Sequence, residues 1–137
     1  MRISQRFRSL APLAVAAAFL LSGTVHLLRP ATFRDLIPDA LGAPDAWVYA
    51  SGVAELICAY GLFTRRRWAG LASAALLIAV LPGNVQMALD ASHGRGALAD
   101  HPVLAWARVP LQAPLIWAVL QGRRPVMMGR SDLTRES

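Results

Sequence analysis

The sequence predicts an all-α membrane protein, a four-transmembrane-helix antiparallel bundle with N and C termini cytoplasmic. Three observations predict it. Of 137 residues, 55% are hydrophobic and only 16% charged, a balance foreign to soluble globules. The charges gather in short clusters, and four nearly charge-free apolar runs lie between them, each close to the ~20 residues that a helix needs to cross ~30 Å of hydrocarbon. All 14 basic residues are arginine, and they are distributed unevenly among the loops and ends.

The first run, 10–28, reads LAPLAVAAAFLLSGTVHLL. Its basic start (Arg2, Arg6, Arg8) resembles that of a signal peptide, but the alanines at 16–18 lie inside the apolar stretch, so an uncleaved helix is expected. The second run, 46–63, contains one charge, Glu55. The third, 68–89, contains Pro82 and Gly83, and the fourth, 103–120, contains Arg108. In lipid every backbone polar group must be satisfied within its own segment, which makes all four runs helices. Together they form one domain over 1–122, followed by a short basic polar tail at 123–137. No internal repeat is evident.

Orientation follows from the arginines. The N-terminal end has three, the connection at 64–67 has three and the C-terminal tail has four, so ten share one side. The loop at 29–45 holds only Arg29 and Arg34, and the loop at 90–102 only Arg95, with Asp35, Asp39, Asp45, Asp90 and Asp100 among them. Positive charge is retained on the cytoplasmic face, so both ends of the chain belong there, in a bacterial-type inner membrane. Pro30, Pro38 and Pro44 punctuate the first outer loop, where Phe33, Leu36 and Ile37 suit a short interfacial turn.

The informative residues are polar groups at membrane depth. Glu55 lies near the middle of the second run, where an acid costs at least ~2.5 kcal/mol on insertion scales and calls for a partner inside the bundle. Arg108 is the expected partner, because at ~1.5 Å rise per residue the two backbones differ in depth by only ~6 Å. Gln112 follows Arg108 by one turn, and Ser51 precedes Glu55 by one turn. Asn84 and His26 fall toward the outer ends of the third and first runs. Under the predicted topology, these six form a buried polar cluster or ligand-binding site in the outer half, an outward-facing pocket. Structural roles compete with this reading: an ion pair fixing helix register, amides joining helices, and a solvated histidine.

Other chemistries find no support. The single cysteine, Cys58, gives neither a disulfide nor a CxxC pair nor a cysteine zinc site. His93 and His101 sit in a loop, so no pair of intrahelical histidines suggests haem, and no metal site is expected. HExxH, P-loop, GxSxG and paired-carboxylate arrangements are missing, so no autonomous catalytic motif is expected. The net charge of +6 comes from arginines flanking apolar runs, which favours anionic lipid head groups over nucleic acid.

Several ordered pieces resemble the DoxX-like family of small four-helix membrane proteins: SGTVHLLRPATFRDLIP (22–38), SGVAELICAYGLFTRR (51–66), AG (69–70), LPGNVQMAL (81–89) and RVPLQAPLIWA (108–118). The positions matching His26, Pro30, Glu55, Pro82, Asn84, Arg108, Pro110 and Gln112 are polar and proline landmarks of that pattern. Gly83 and Val109 depart mildly from its usual alanine and leucine. The resemblance implies a non-enzymatic accessory or assembly component of a membrane complex, respiratory or concerned with redox stress, whose partners are other subunits or further copies of the chain in the bilayer. A small-molecule site for quinone or lipid built on Glu55 and Arg108 is the alternative, and a proton-coupled transporter a weaker one.

Overall fold

The computed structural model describes residues 2–96 and 98–121, and all its regular elements are helical. Four α-helices, α1 (Arg2–Leu28), α2 (Pro44–Phe63), α3 (Ala69–Ser92) and α4 (Pro102–Gln121), follow one another in the chain. Each contains a span long and apolar enough to cross a membrane, as in a multi-pass membrane protein. The basic tail expected at 123–137 lies outside the described residues.

The helix boundaries differ from expectation in ways that local chemistry explains. Helix α1 begins at Arg2, not Leu10, because the polar segment before the apolar run is rich in arginine and glutamine, which favour helix. Hydropathy marks the part of a helix that fits in lipid, not its end. Helices α2 and α4 start two and one residues early, each on a proline, whose missing N–H costs nothing in the first turn. Pro82 does not interrupt α3, nor do Pro110 and Pro114 break α4. Each removes one intrahelical bond, a loss that neighbouring helices make tolerable in membrane bundles.

Helices α2 and α3 end alike. Arg66 N–H donates to the Gly61 carbonyl at 2.8 Å and Arg65 N–H to Leu62 at 3.2 Å, with Arg65 left-handed. At the end of α3, Arg95 N–H donates to Asp90 at 2.8 Å and Gly94 N–H to Ala91 at 3.1 Å, with Gly94 left-handed. Both are Schellman closures that satisfy the last carbonyls.

The loop between α1 and α2 runs through three single 3-10 turns, Pro30–Thr32, Arg34–Leu36 and Asp39–Leu41, none with a buried residue. It enters α2 through Gly42 and Ala43, both at positive φ. Ala43 is strained there, because a side chain at positive φ is crowded and the residue before a proline prefers extended backbone. An ion pair from Arg34 to Asp45 ties the loop to the first turn of α2.

Helix α1 packs most extensively on α2, and α3 on α4. The apolar interior forms two clusters. The larger joins Val15, Ala16 and Phe19 of α1, Cys58, Ala59 and Leu62 of α2, Ala69, Ala74 and Leu77 of α3, and Ala118 and Val119 of α4. The smaller joins Met87, Ala88 and Ala91 of α3 to Ala105 of α4. Outward faces are apolar too: Leu21, Ile57, Tyr60, Ile78 and Leu111 are all exposed. Helices that are apolar all round, with large side chains turned away from the protein, suit a lipid surround.

Candidate functional site

The six polar residues singled out in the sequence lie to one side of the larger apolar cluster along their helices. On α1, His26 follows Phe19; on α2, Ser51 and Glu55 precede Cys58; on α3, Asn84 lies between Leu77 and Met87; on α4, Arg108 and Gln112 lie between Ala105 and Ala118. This polar layer borders the four-helix apolar core, and on α3 and α4 it stands between that core and the smaller cluster. Glu55 and Gln112 are buried within it, only 6% and 5% exposed. His26, Ser51 and Asn84 are half-buried.

Two glycines set the approach of His26 to Glu55. A Cβ on Gly23 would stand 2.7 Å from the Gly52 carbonyl oxygen, and one on Gly52 would stand 2.8 Å from His26 Cβ, so the helices cross in backbone contact. His26 lies three residues beyond Gly23, and Glu55 three beyond Gly52. Helical side chains lean toward their own N-terminus, so His26 leans back to the level of Ser22 and Glu55 to that of Gly52. Because Gly52 touches His26, the two leans converge.

His26 Nδ1 comes to 3.5 Å from Glu55 Oε2. The nearer contact of Nδ1 is the Ser22 carbonyl oxygen at 2.8 Å, which only an N–H satisfies. Glu55 Oε2 is therefore within Coulombic reach of the imidazole but receives no hydrogen bond. Phe33, from the loop between α1 and α2, closes the other side of His26: the rings stack at 3.9 Å with an interplanar angle of 18°.

Arg108, the partner expected for Glu55, is exposed on α4 and belongs to none of the ion pairs among the described residues. Depth along the helix allowed the Glu55 to Arg108 pair; the glycine crossing instead brings in His26 from the adjacent helix. Gln112, one turn beyond Arg108, is turned inward, and its Oε1 has no hydrogen-bond partner. Ser51 donates its hydroxyl to the Val48 carbonyl at 2.9 Å, a local use that takes it out of the layer's chemistry.

A cavity of about 340 Å³ opens beyond the layer, and none of the six residues lines it. Its wall includes Asp35 and Asp39 of the loop between α1 and α2, Gln86 and Asp90 of α3, and Arg95. Asp90 accepts from Gln86 Nε2 at 3.1 Å and from Arg95 Nη2 at 3.1 Å. Sequence reasoning treated these carboxylates only as offsets to the arginine count. The Gln86 to Asp90 spacing of four was the available signal. Among the described residues, no group of three or more histidine, cysteine or acidic side chains converges to hold a metal ion.

No curated protein and no solved structure matches the chain. A family model described as a domain of unknown function, DUF8561, matches residues 15–123. That match runs from within the first span to just past the end of α4 and includes every residue of the polar layer, so the chain belongs to the DUF8561 family.

Proposed function

We propose that this chain is a small-molecule-binding component of a cytoplasmic membrane, holding the polar head of an amphiphile such as a quinone or lipid in the polar layer beside its larger apolar cluster. The observation that carries this is that two of the three buried polar atoms without hydrogen-bond partners among the described residues, Glu55 Oε2 and Gln112 Oε1, lie in that layer, the third being Ser73 Oγ on α3. Native interiors leave few such groups, because each costs ~1–3 kcal/mol, and more when charged. A head group supplying the missing bonds would be held by that same free energy, its apolar part lying along the lipid-facing helix surfaces.

In this reading the helices alternate in direction across the bilayer, with both chain ends cytoplasmic. The arginine distribution supports that orientation. So does the pairing of Gly23 with Gly52 and Leu56, and of His26 with Gly52, since the α2 partner does not advance as α1 advances. The polar layer then lies in the outer half, under the loop that carries Phe33. The accessory or assembly role rests on the DoxX-like resemblance. It is compatible with a ligand site, because a bound amphiphile is one means by which a small subunit joins a larger membrane complex.

The test is to purify the protein in mild detergent and weigh it intact by native mass spectrometry. We expect a non-covalently retained hydrophobic molecule that is lost from the Glu55→Leu, Gln112→Leu double variant. Identical mass profiles for the two proteins, both folded, would refute the proposal.

A further inference from the structure

We propose that Arg108 anchors a separate site, which holds the phosphate of an anionic phospholipid against the exposed side of α4. The site does not involve the buried oxygens of Glu55 and Gln112. Arg108 lies six residues past Pro102 in a helix long and apolar enough to cross a membrane. It is nevertheless exposed, and it takes part in none of the ion pairs among the described residues. Its neighbours one turn away on the same face, Leu104 and Leu111, are exposed too, at 57% and 53%. A guanidinium does not lose its proton, so a lone positive charge in an apolar stripe at membrane depth requires an anion from outside the chain.

Depth selects the source of that anion. Arg108 is ~9 Å from the Pro102 end of α4 and ~20 Å from the Gln121 end. Arginine stems lie along apolar surface and keep the head in water, and helical side chains lean toward their own N-terminus, which here is the near end. The guanidinium thus approaches the head groups of the leaflet at the Pro102 end, the outer leaflet in the proposed orientation. Its planar fork matches two phosphate oxygens there. A second copy of the chain is a poorer source. The acids within the four helices are Asp45, Glu55 and Asp90. Asp45 and Asp90 are paired with Arg34 and Arg95, and Glu55 is buried. A free phosphate lacks the acyl chains that would cover Leu104 and Leu111.

The experiment titrates the full protein, in neutral detergent, with phosphatidylglycerol and counts bound lipids by native mass spectrometry. Arg108→Leu should bind one lipid fewer than wild type, the affinity of that lipid falling about tenfold, as for a lost charge-assisted hydrogen bond. Arg108→Lys, which keeps the charge, should retain it. Arg95→Leu removes the same charge from the same end of the molecule, at a side chain already paired with Asp90, and should leave the count unchanged. Equal counts for wild type and Arg108→Leu, both folded, or an equal loss from Arg95→Leu, overturn the site. Displacement of the lipid by an equal concentration of glycerol phosphate overturns the lipid as source. A complex with another chain that Arg108→Leu loses while its lipid count stays unchanged gives Arg108 to a protein partner, and overturns it likewise. The Glu55→Leu, Gln112→Leu double variant should keep the phosphatidylglycerol, so the buried head-group site and this one fail separately; loss of the lipid there overturns their separation.

Discussion

Substituting Gly52 with alanine tests whether the glycine crossing sets the approach of His26 to Glu55. The added methyl carbon would sit 2.8 Å from His26 Cβ and 3.2 Å from the Gly23 carbonyl oxygen. Carbon atoms rest at ~3.5–4.0 Å, so α1 and α2 must part by about 1 Å. Overpacking of this kind costs ~1–3 kcal/mol. Alanine returns ~0.5–1 kcal/mol through its better helix propensity, leaving a net loss of ~1–2 kcal/mol. The same separation would carry His26 Nδ1 and Glu55 Oε2 beyond 4 Å from their present 3.5 Å. Gly83 is the internal control, since a Cβ there meets only the Leu36 carbonyl oxygen, at an ordinary 3.8 Å. Reversible unfolding in mixed micelles should show Gly52→Ala destabilised and Gly83→Ala unchanged or stabilised by up to ~1 kcal/mol. If Gly52→Ala behaves like Gly83→Ala, the helices are not in backbone contact and the account of how the pair forms is wrong.

Three further outcomes follow from the same geometry. His26→Leu removes the N–H that the Ser22 carbonyl accepts and the imidazole beside Glu55 and should destabilise by ~1–3 kcal/mol, whereas adding Glu55→Leu should recover part of that loss; a double variant no better than the single one would show the two side chains to be independent. Phe33→Ala uncovers one face of His26, so diethylpyrocarbonate should modify that histidine several-fold faster, and an unchanged rate would mean that the ring does not shield it. With Cys58 replaced by serine, a membrane-impermeant maleimide added to intact cells should label a cysteine placed at Asp39 and spare one placed at Arg66; the reverse pattern would invert the proposed orientation.

Much of the fold was legible because span length is a one-dimensional property. Four apolar runs of sufficient length become four helices whatever their contacts. Depth can likewise be counted along each run, and it puts Glu55, Arg108, Gln112, Asn84, His26 and Ser51 to one side of the larger apolar cluster. Which way each side chain faces around its helix cannot be counted that way. Glu55 and Arg108 match in depth, yet one is buried and the other exposed. The signal for the true neighbour lay in a repeated spacing, Gly23-x-x-His26 and Gly52-x-x-Glu55, which joins a close crossing to a titratable side chain on each helix. Phe33 was legible only as an apolar residue near an interface, because a loop's landing place depends on turns such as Gly42 and Ala43 that redirect the chain.

The packing of α1 on α2 and of α3 on α4 divides the polar layer between two helix pairs. His26 and Glu55 ride together on the first pair; Asn84, Arg108 and Gln112 ride on the second. The His26 to Glu55 contact is thus internal to one pair and survives if the pairs slide or part, while the orphaned oxygens of Glu55 and Gln112 belong to opposite sides of the seam. A molecule bridging those two oxygens would act as a rivet, and its departure would leave the seam free to give under lateral pressure from the bilayer.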